Sequence, residues 1–239
     1  MISNNKKISI FLPVYNEYQR IIPNIEGIMT ECKKNKLSFE IIVIDDNSND
    51  DSLTKIKKAC NKHKEISYYH YLNGPTFREN LAQTFKKAKG EIIIFADIDL
   101  AKTYEHINLL VNEINKGFDI VVGSRYKNTK TKRSIKRLII SKIFNKLIQI
   151  MFKSKILDHQ CGAKAFKKEL ILSLVKEMGY DKKNKRKWFW DTEILLRAQK
   201  KDLKIKEIGI KWAETKESSV KMRQQISIIK YIMNLKNRM

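Results

Sequence analysis

The segment Glu91-Ile92-Ile93-Ile94-Phe95-Ala96-Asp97-Ile98-Asp99 limits what this chain can fold into more than any other. Its five consecutive apolar residues read as a fully buried strand. Two aspartates follow, one residue apart, where that strand emerges. Carboxylates this close repel each other unless a cation sits between them. Oxygen-only donors suit a hard divalent ion, and Mg²⁺ or Mn²⁺ commonly joins such carboxylates to a bound phosphate. A polar turn capping a buried strand would use the same residues, so the rest of the sequence has to decide.

The first half alternates short apolar runs with longer amphipathic ones. Strands are expected over 8–14, 39–44, 66–72, the Asp97 run and 119–122. Helices are expected over 17–34, with Pro23 interrupting early, from a cap at Asn49 or Asp50 to about His63, over 76–89 closed by Gly90, and over 104–116 ended by Gly117. This order predicts an α/β fold with a largely parallel central sheet flanked by helices on both faces. Ligands in such sheets bind beyond the carboxyl ends of the strands, which is where Asp45, Asp46, Asp97, Asp99 and Arg125 should gather.

The second half changes character. Residues 134–153 form a basic amphipathic helix with Leu138, Ile139, Ile143, Phe144, Leu147, Ile148 and Met151 among Lys136, Arg137, Lys142, Lys146 and Lys153. Such a helix either packs on the core or lies on a membrane surface. A basic loop over 181–187, a helix over 190–201 and an extended segment over 203–212 follow. Met222, Ile226, Ile229 and Met233 place an apolar stripe on a C-terminal helix. The simplest division is one domain over 1–215 and a basic amphipathic helical extension over 216–239.

The 239 residues carry a net charge of +23, which favours anionic partners. Most of the excess is scattered lysine, which equally describes a solvated surface. With no nucleic-acid motif and no aromatic-basic stacking strip, nucleic acid is not an expected partner. Cys32, Cys60 and Cys161 are odd in number and lack C-x-x-C spacing, which fits a reducing cytosol better than a disulfide framework or a zinc site. No uncharged apolar run reaches the roughly 18 residues of a membrane span, and the polar first seven residues do not open a signal peptide. A cytoplasmic protein, peripheral on the cytosolic face of a membrane, is the expectation.

Four segments coincide at the predicted strand ends: Phe11-Leu12-Pro13-Val14-Tyr15-Asn16-Glu17, Asp45-Asp46-Asn47-Ser48-Asn49-Asp50, Asp97-Ile98-Asp99 and Val121-Val122-Gly123-Ser124-Arg125-Tyr126. In this order they resemble the GT-A (Rossmann-like) glycosyltransferases of family 2, inverting enzymes that use nucleotide sugars. Asp158-His159-Gln160-Cys161-Gly162-Ala163-Lys164, Phe189-Trp190-Asp191-Thr192-Glu193 and the stretch from Ile205 through Trp212, Glu214 and Ser218-Ser219-Val220 are similar to segments of the dolichyl-phosphate mannose and glucose synthases. The resemblance implies transfer of a hexose from GDP-mannose or UDP-glucose to a polyprenyl or dolichyl phosphate. It places the nucleotide at Pro13, Tyr15, Glu17 and Asp46, and Mg²⁺ or Mn²⁺ at Asp97 and Asp99.

The residue types agree with those roles. Pro13 fixes the strand exit, Tyr15 offers a ring to a base, and Glu17 and Asp46 accept hydrogen bonds. Arg125 is a bidentate clamp for phosphate, with Arg78 a weaker candidate. Lys164, Arg133 and Arg137 are candidates for the lipid phosphate, while Asp158, Gln160 and Gly162 shape the acceptor pocket. Asp191 and Glu193 stand where a base or a helix-start carboxylate would. Cys161 reads as a packing residue. The chain departs from the family in having Ala101 where many mannose synthases have glutamine, and Ile98 where alanine is common. The alternative is a GT-A enzyme acting on a glycan hydroxyl, for which Asp191 or Asp158 would be the base. Partners would be the nucleotide sugar, the lipid phosphate, an anionic membrane surface and, in place of an integral anchor, a separate membrane-anchoring protein.

Overall fold

The computed structural model describes residues 7–98, 103–127, 135–183, 185–211 and 222–239. Seven strands are joined in one sheet: β1 (Ile8–Val14), β2 (Phe39–Asp45), β3 (Ile66–His70), β4 (Ile92–Ala96), β5 (Ile120–Ser124), β6 (Ala163–Lys167) and β7 (Ile205–Gly209). Their order is β3-β2-β1-β4-β6-β5-β7. All pairings are parallel except those of β6, which is antiparallel to both β4 and β5.

The strands alternate their side chains between two apolar layers. On one face Ile8, Ile10, Leu12, Ile41, Val43, Ile92 and Ile94 pack against α1 (Ile21–Lys34), α2 (Ser52–Lys62) and α4 (Ile107–Asn115). On the other, Phe11, Ile42, Ile44, Ile93, Phe95 and Phe166 pack against α3 (Glu79–Thr84), α6 (Lys168–Met178) and α7 (Trp190–Lys200). This second layer is aromatic at its centre. Trp190 meets the rings of Phe85 and Phe95 with centroids 6.3 and 6.1 Å away. A third, smaller cluster joins α5 (Ile135–Phe152), α7 and α8 (Met222–Arg238) through Ile148, Phe189, Leu196, Ile228, Ile232 and Leu235.

Most elements fall where the apolar pattern puts them, and the departures have local causes. Helix α1 begins at Ile21, which leaves Pro23 in its first turn, where a missing amide costs nothing. The helix expected over 76–89 is only α3 followed by a 3₁₀ turn at Phe85–Lys87. Thr76 is held outside it because its amide donates to Asp46 Oδ2 at 2.6 Å, and Phe77 follows at φ 65°. Gly117 ends α4 at φ 102°, a conformation that glycine adopts without strain. The C-terminal helix buries Ile228, Ile232 and Leu235, whereas Ile229 and Met233 of the expected stripe face solvent. Both stripes have helical spacing, and the sequence alone did not say which one meets the body.

Two elements, β6 and α6, have no counterpart among the sequence-based expectations. The Ala-Lys-Ala-Phe-Lys of β6 has weak strand preference, and its pairing on both sides is what makes it a strand. Trp190 sets the aromatic layer, so Trp190→Ala should cost about 3–5 kcal/mol of stability. Urea unfolding of the two proteins measures this directly.

Candidate active site

Because β6 runs against its neighbours, it begins at the edge where β1, β2, β4 and β5 end. The segment Asp158-His159-Gln160-Cys161-Gly162 therefore arrives beside Asp97. Ala96 pairs with Ala163, and the Asp97 amide donates to the Gly162 carbonyl at 3.0 Å. A Cβ at Gly162 would overlap the Asp97 carboxylate, so glycine is what allows this approach.

Four charged side chains form a chain across the edge. Lys164 Nζ donates to Asp191 Oδ1 at 2.7 Å, and Arg78 Nε donates to Asp191 Oδ2 at 2.9 Å. Arg78 Nη2 then lies 2.6 Å from Asp97 Oδ1. Lys164, Asp191 and Arg78 are buried, while the Asp97 side chain keeps 24% of its exposure. Burial pushes the Asp191 carboxyl up, but Arg78 and Lys164 together hold it below the usual carboxylate range. The outcome is a stable anion and a weak base.

A second knot lies one strand over. Arg125 grips the fully buried Asp158 through Nε to Oδ2 at 2.8 Å and Nη2 to Oδ1 at 2.7 Å, and its amide also donates to Oδ2 at 2.9 Å. Glu207 on β7 accepts from the amides of Leu157 and Asp158. His159 is tied to Asn145 of α5 by its amide and by Nδ1, and to Ser154 through Nε2. Burial is resisted at Asp158 by Arg125, which holds its carboxyl low, and burial pushes the Cys161 thiol up to about 12. Cys161 is therefore a protonated packing residue rather than a nucleophile.

The ends of β1 and β2 are locked to each other. Asn16 and Glu17 amides donate to Ser48 and Ser52 hydroxyls at 3.0 Å each, and the Asn49 amide donates to Asn16 Oδ1 at 2.9 Å. A cleft of about 580 Å³ opens there, lined by Glu17, Tyr18, Arg20, Asn49, Asp50 and Asp51 among others. Tyr15 is 43% exposed beside it. Glu17 pairs with Arg20 at 2.6 Å. Asp46 is buried and accepts from the Thr76 amide and from Asn80 Nδ2, at 2.6 Å each.

Pro13, Asp46, Asp97, Arg125, Asp158, Gln160, Gly162, Lys164 and Asp191 are thus brought to one edge of the fold, but several carry different bonds from those expected. Arg125 is engaged by Asp158 rather than presented as a clamp for phosphate. Lys164 is fully buried on Asp191 and does not face solvent where a lipid phosphate would arrive. Within 158–164 the half-exposed side chain is Gln160. Asp99, Arg133, Ala101 and the Trp212 to Val220 stretch lie outside the described residues. Glu207, Asn145, Thr76 and Asn80 were not singled out from sequence, since nothing in their local pattern names their distant partners.

Among the described residues no three carboxylate, histidine or cysteine side chains stand together as a metal cage. The Asp97 carboxylate has Oδ1 buried against Arg78 and Oδ2 packed beside Gly162, and keeps 24% exposure, so it can serve a hard cation as one ligand while phosphate and water supply others.

The depressed pKa values of Asp158 and Asp191 carry a stability consequence. Their contribution is complete above about pH 4 and is lost as the pH falls through their folded values. Asp158→Asn leaves Arg125 buried without its anion and should cost about 3–5 kcal/mol at neutral pH. It should also flatten the acid limb of stability, as read by urea unfolding across pH.

Comparison with known proteins places this geometry. The sequence model of glycosyl transferase family 2 matches residues 9–174. The chain is 30% identical over 225 residues to glycosyltransferase AglD of Haloferax volcanii, covering 92% of this chain and 35% of AglD. It is 28% identical over 252 residues to the dolichyl-phosphate beta-glucosyltransferase of Saccharomyces cerevisiae, covering 93% of this chain and 74% of that protein. Similarity also extends to the undecaprenyl-phosphate 4-deoxy-4-formamido-L-arabinose transferase of Pectobacterium atrosepticum, at 29% identity over 74% of this chain and 53% of the other. In fold it is similar to the glucosyl-3-phosphoglycerate synthase of Mycobacterium tuberculosis, solved with Mn²⁺, UDP and phosphoglyceric acid, with a TM-score of 0.70, 18% identity and coverage of 97% of this chain and 78% of that one. With most of its sheet inside the matched span, the chain belongs to glycosyl transferase family 2 and has the GT-A fold.

Proposed function

We propose that this chain moves a hexose from a nucleotide sugar, GDP-mannose or UDP-glucose, to a polyprenyl or dolichyl phosphate, with inversion at the anomeric carbon. The observation that carries the reading is the meeting of Asp97 with the Asp158-to-Lys164 segment and Asp191 at one sheet edge. The names of the yeast and Pectobacterium relatives support a lipid-phosphate acceptor.

In this reading the nucleotide occupies the β1 and β2 exits, near Tyr15, Glu17 and Asp46. Asp97 and Asp99 would hold Mg²⁺ or Mn²⁺, whose charge would offset the negative charge that develops on a departing nucleoside diphosphate. An acceptor phosphate oxygen attacks the anomeric carbon as the bond to the diphosphate breaks, and no enzyme-bound sugar forms. A phosphate monoester with a second pKa of roughly 6 is already a dianion at neutral pH, so no proton has to be removed. Asp191 suits this chemistry: held as a weakly basic anion, it keeps Arg78 and Lys164 in place. Arg125 and Asp158 position the acceptor segment. Gln160 and Arg133 are the candidates to meet the acceptor itself. Such an acceptor resides in a membrane, so the chain works at the cytosolic face, held there by its positive charge, its amphipathic helices or a separate anchoring partner.

The test is a donor screen with Mg²⁺ and with Mn²⁺, using a short polyprenyl phosphate as acceptor. The expected result is metal-dependent release of one nucleoside diphosphate with formation of a glycolipid, lost by at least about a hundredfold in Asp99→Asn, the scale of removing a charge-stabilising group. Nucleotide binding without transfer to any lipid phosphate, but with transfer to a glycan hydroxyl, would overturn the acceptor assignment. Full turnover by Asp99→Asn would overturn the metal assignment.

A further inference from the structure

Helix α5 has two apolar faces, and among the described residues only one of them is packed against the rest of the fold. Its inner face, with Phe144, Ile148, Met151 and Phe152, packs into the cluster shared with α7 and α8. On the opposite side Ile135, Ile139, Ile143, Leu147 and Ile150 are 74, 52, 63, 47 and 69% exposed. They follow one another at intervals of four, four, four and three residues, which is one continuous stripe on a helix. A stripe from Ile135 to Ile150 runs for roughly 22 Å at 1.5 Å per residue.

The charges around the stripe say what it meets. From Ile135 to Lys153 there are five cations, Lys136, Arg137, Lys142, Lys146 and Lys153, and no Asp or Glu. Lys136, Lys142, Lys146 and Lys153 are exposed. The neighbouring α8 has no acidic residue either, and adds exposed Ile229 and Met233. A second copy of this chain seated stripe to stripe would set cations against cations, which argues against self-association. The stripe is also interrupted by too much charge to span a bilayer, and no described helix is long and apolar enough to do so. An apolar ridge flanked by lysine suits the interface of an anionic bilayer, where Ile and Leu reach the acyl chains and lysines meet lipid phosphates.

We propose that α5 is the membrane-docking element, lying in the plane of an anionic lipid surface with the Ile135–Ile150 stripe immersed. This deepens the lipid-phosphate reading and rests on it for its purpose. The inner side of the same helix holds the acceptor segment: Ser141 bonds Tyr126, next to Arg125, and Asn145 bonds His159, next to Asp158. Docking through α5 therefore brings the segment expected to receive a lipid phosphate to the surface in which that phosphate sits.

The experiment is co-sedimentation of the purified chain with vesicles of phosphatidylcholine alone and of phosphatidylcholine mixed with phosphatidylglycerol. The native protein should partition onto the anionic vesicles, weakly onto the neutral ones, and less as salt is raised. Replacing Ile139, Ile143 and Ile150 by serine should lower partitioning at least about tenfold, the loss expected when three such side chains no longer enter the interface. Circular dichroism and thermal melting should match the native protein, because these side chains face solvent. Lys142→Gln with Lys146→Gln should reduce binding to anionic vesicles and leave the weak neutral binding unchanged. Unaltered partitioning of the serine variant would overturn the proposal, as would a native dimer by light scattering that the serine variant makes monomeric. Transfer to a water-soluble short-chain polyprenyl phosphate without vesicles is read in parallel. Its absence in both proteins would count against the lipid-phosphate activity, while the vesicle result still decides the docking face.

Discussion

The alternation of charge from Lys164 through Asp191 and Arg78 to Asp97 is the constraint around which the active edge is arranged. Three of these groups are buried, and each buried ion loses several kcal/mol of solvation that only a well-placed partner offsets. Asp191 solves the problem by using both oxygens, one for each cation. Removing any member would strand the next, so the set is fixed as a unit. Its fixed geometry ties Asp97, just after β4, to the residue that precedes helix α3, to helix α7 and to the start of β6. Elements far apart in sequence are thereby held in one register at the edge formed by the carboxyl ends of the parallel strands, where sheets of this kind bind ligands.

Strand β6 explains how the Asp158-to-Gly162 segment reaches that edge. A purely parallel sheet would have delivered the segment before a strand to the far edge, opposite Asp97. Inserted antiparallel between β4 and β5, β6 instead starts at the functional edge. The Gly162 close approach and the Arg125–Asp158 grip then set the depth and orientation of the turn. The cleft at the ends of β1 and β2 is built by a different device, the reciprocal hydrogen bonds between the loops that follow them.

Much of this was legible in the sequence. Continuous apolar runs such as Ile92 to Ala96 mark strands buried on both faces, and the polar residues just after them mark the ligand edge. The parallel order and the gathering of Asp46, Asp97 and Arg125 follow from that pattern alone. What was not legible depends on partners distant in sequence. Lys164 and Arg125 look like phosphate ligands when their neighbours are unknown, and become structural cations once Asp191 and Asp158 are placed against them. Strand β6 is made by its two neighbours rather than by its own composition. Likewise α8 carries two apolar stripes, and only packing against Ile148, Phe189 and Leu196 selects Ile228, Ile232 and Leu235.

Central to the account is Asp191 as a buried counter-ion rather than a proton acceptor, because that assignment matches an acceptor that arrives already ionised. The most direct measurement is the pH dependence of kcat/KM for the native chain and for Asp191→Asn, with a short polyprenyl phosphate as acceptor. The account predicts a slower and less stable variant whose rate still rises through about pH 6 with ionisation of the acceptor phosphate and is flat above it, as in the native chain. An acid limb that is present in the native chain and abolished by the substitution would contradict it, and would make Asp191 the base of a hydroxyl-directed transferase.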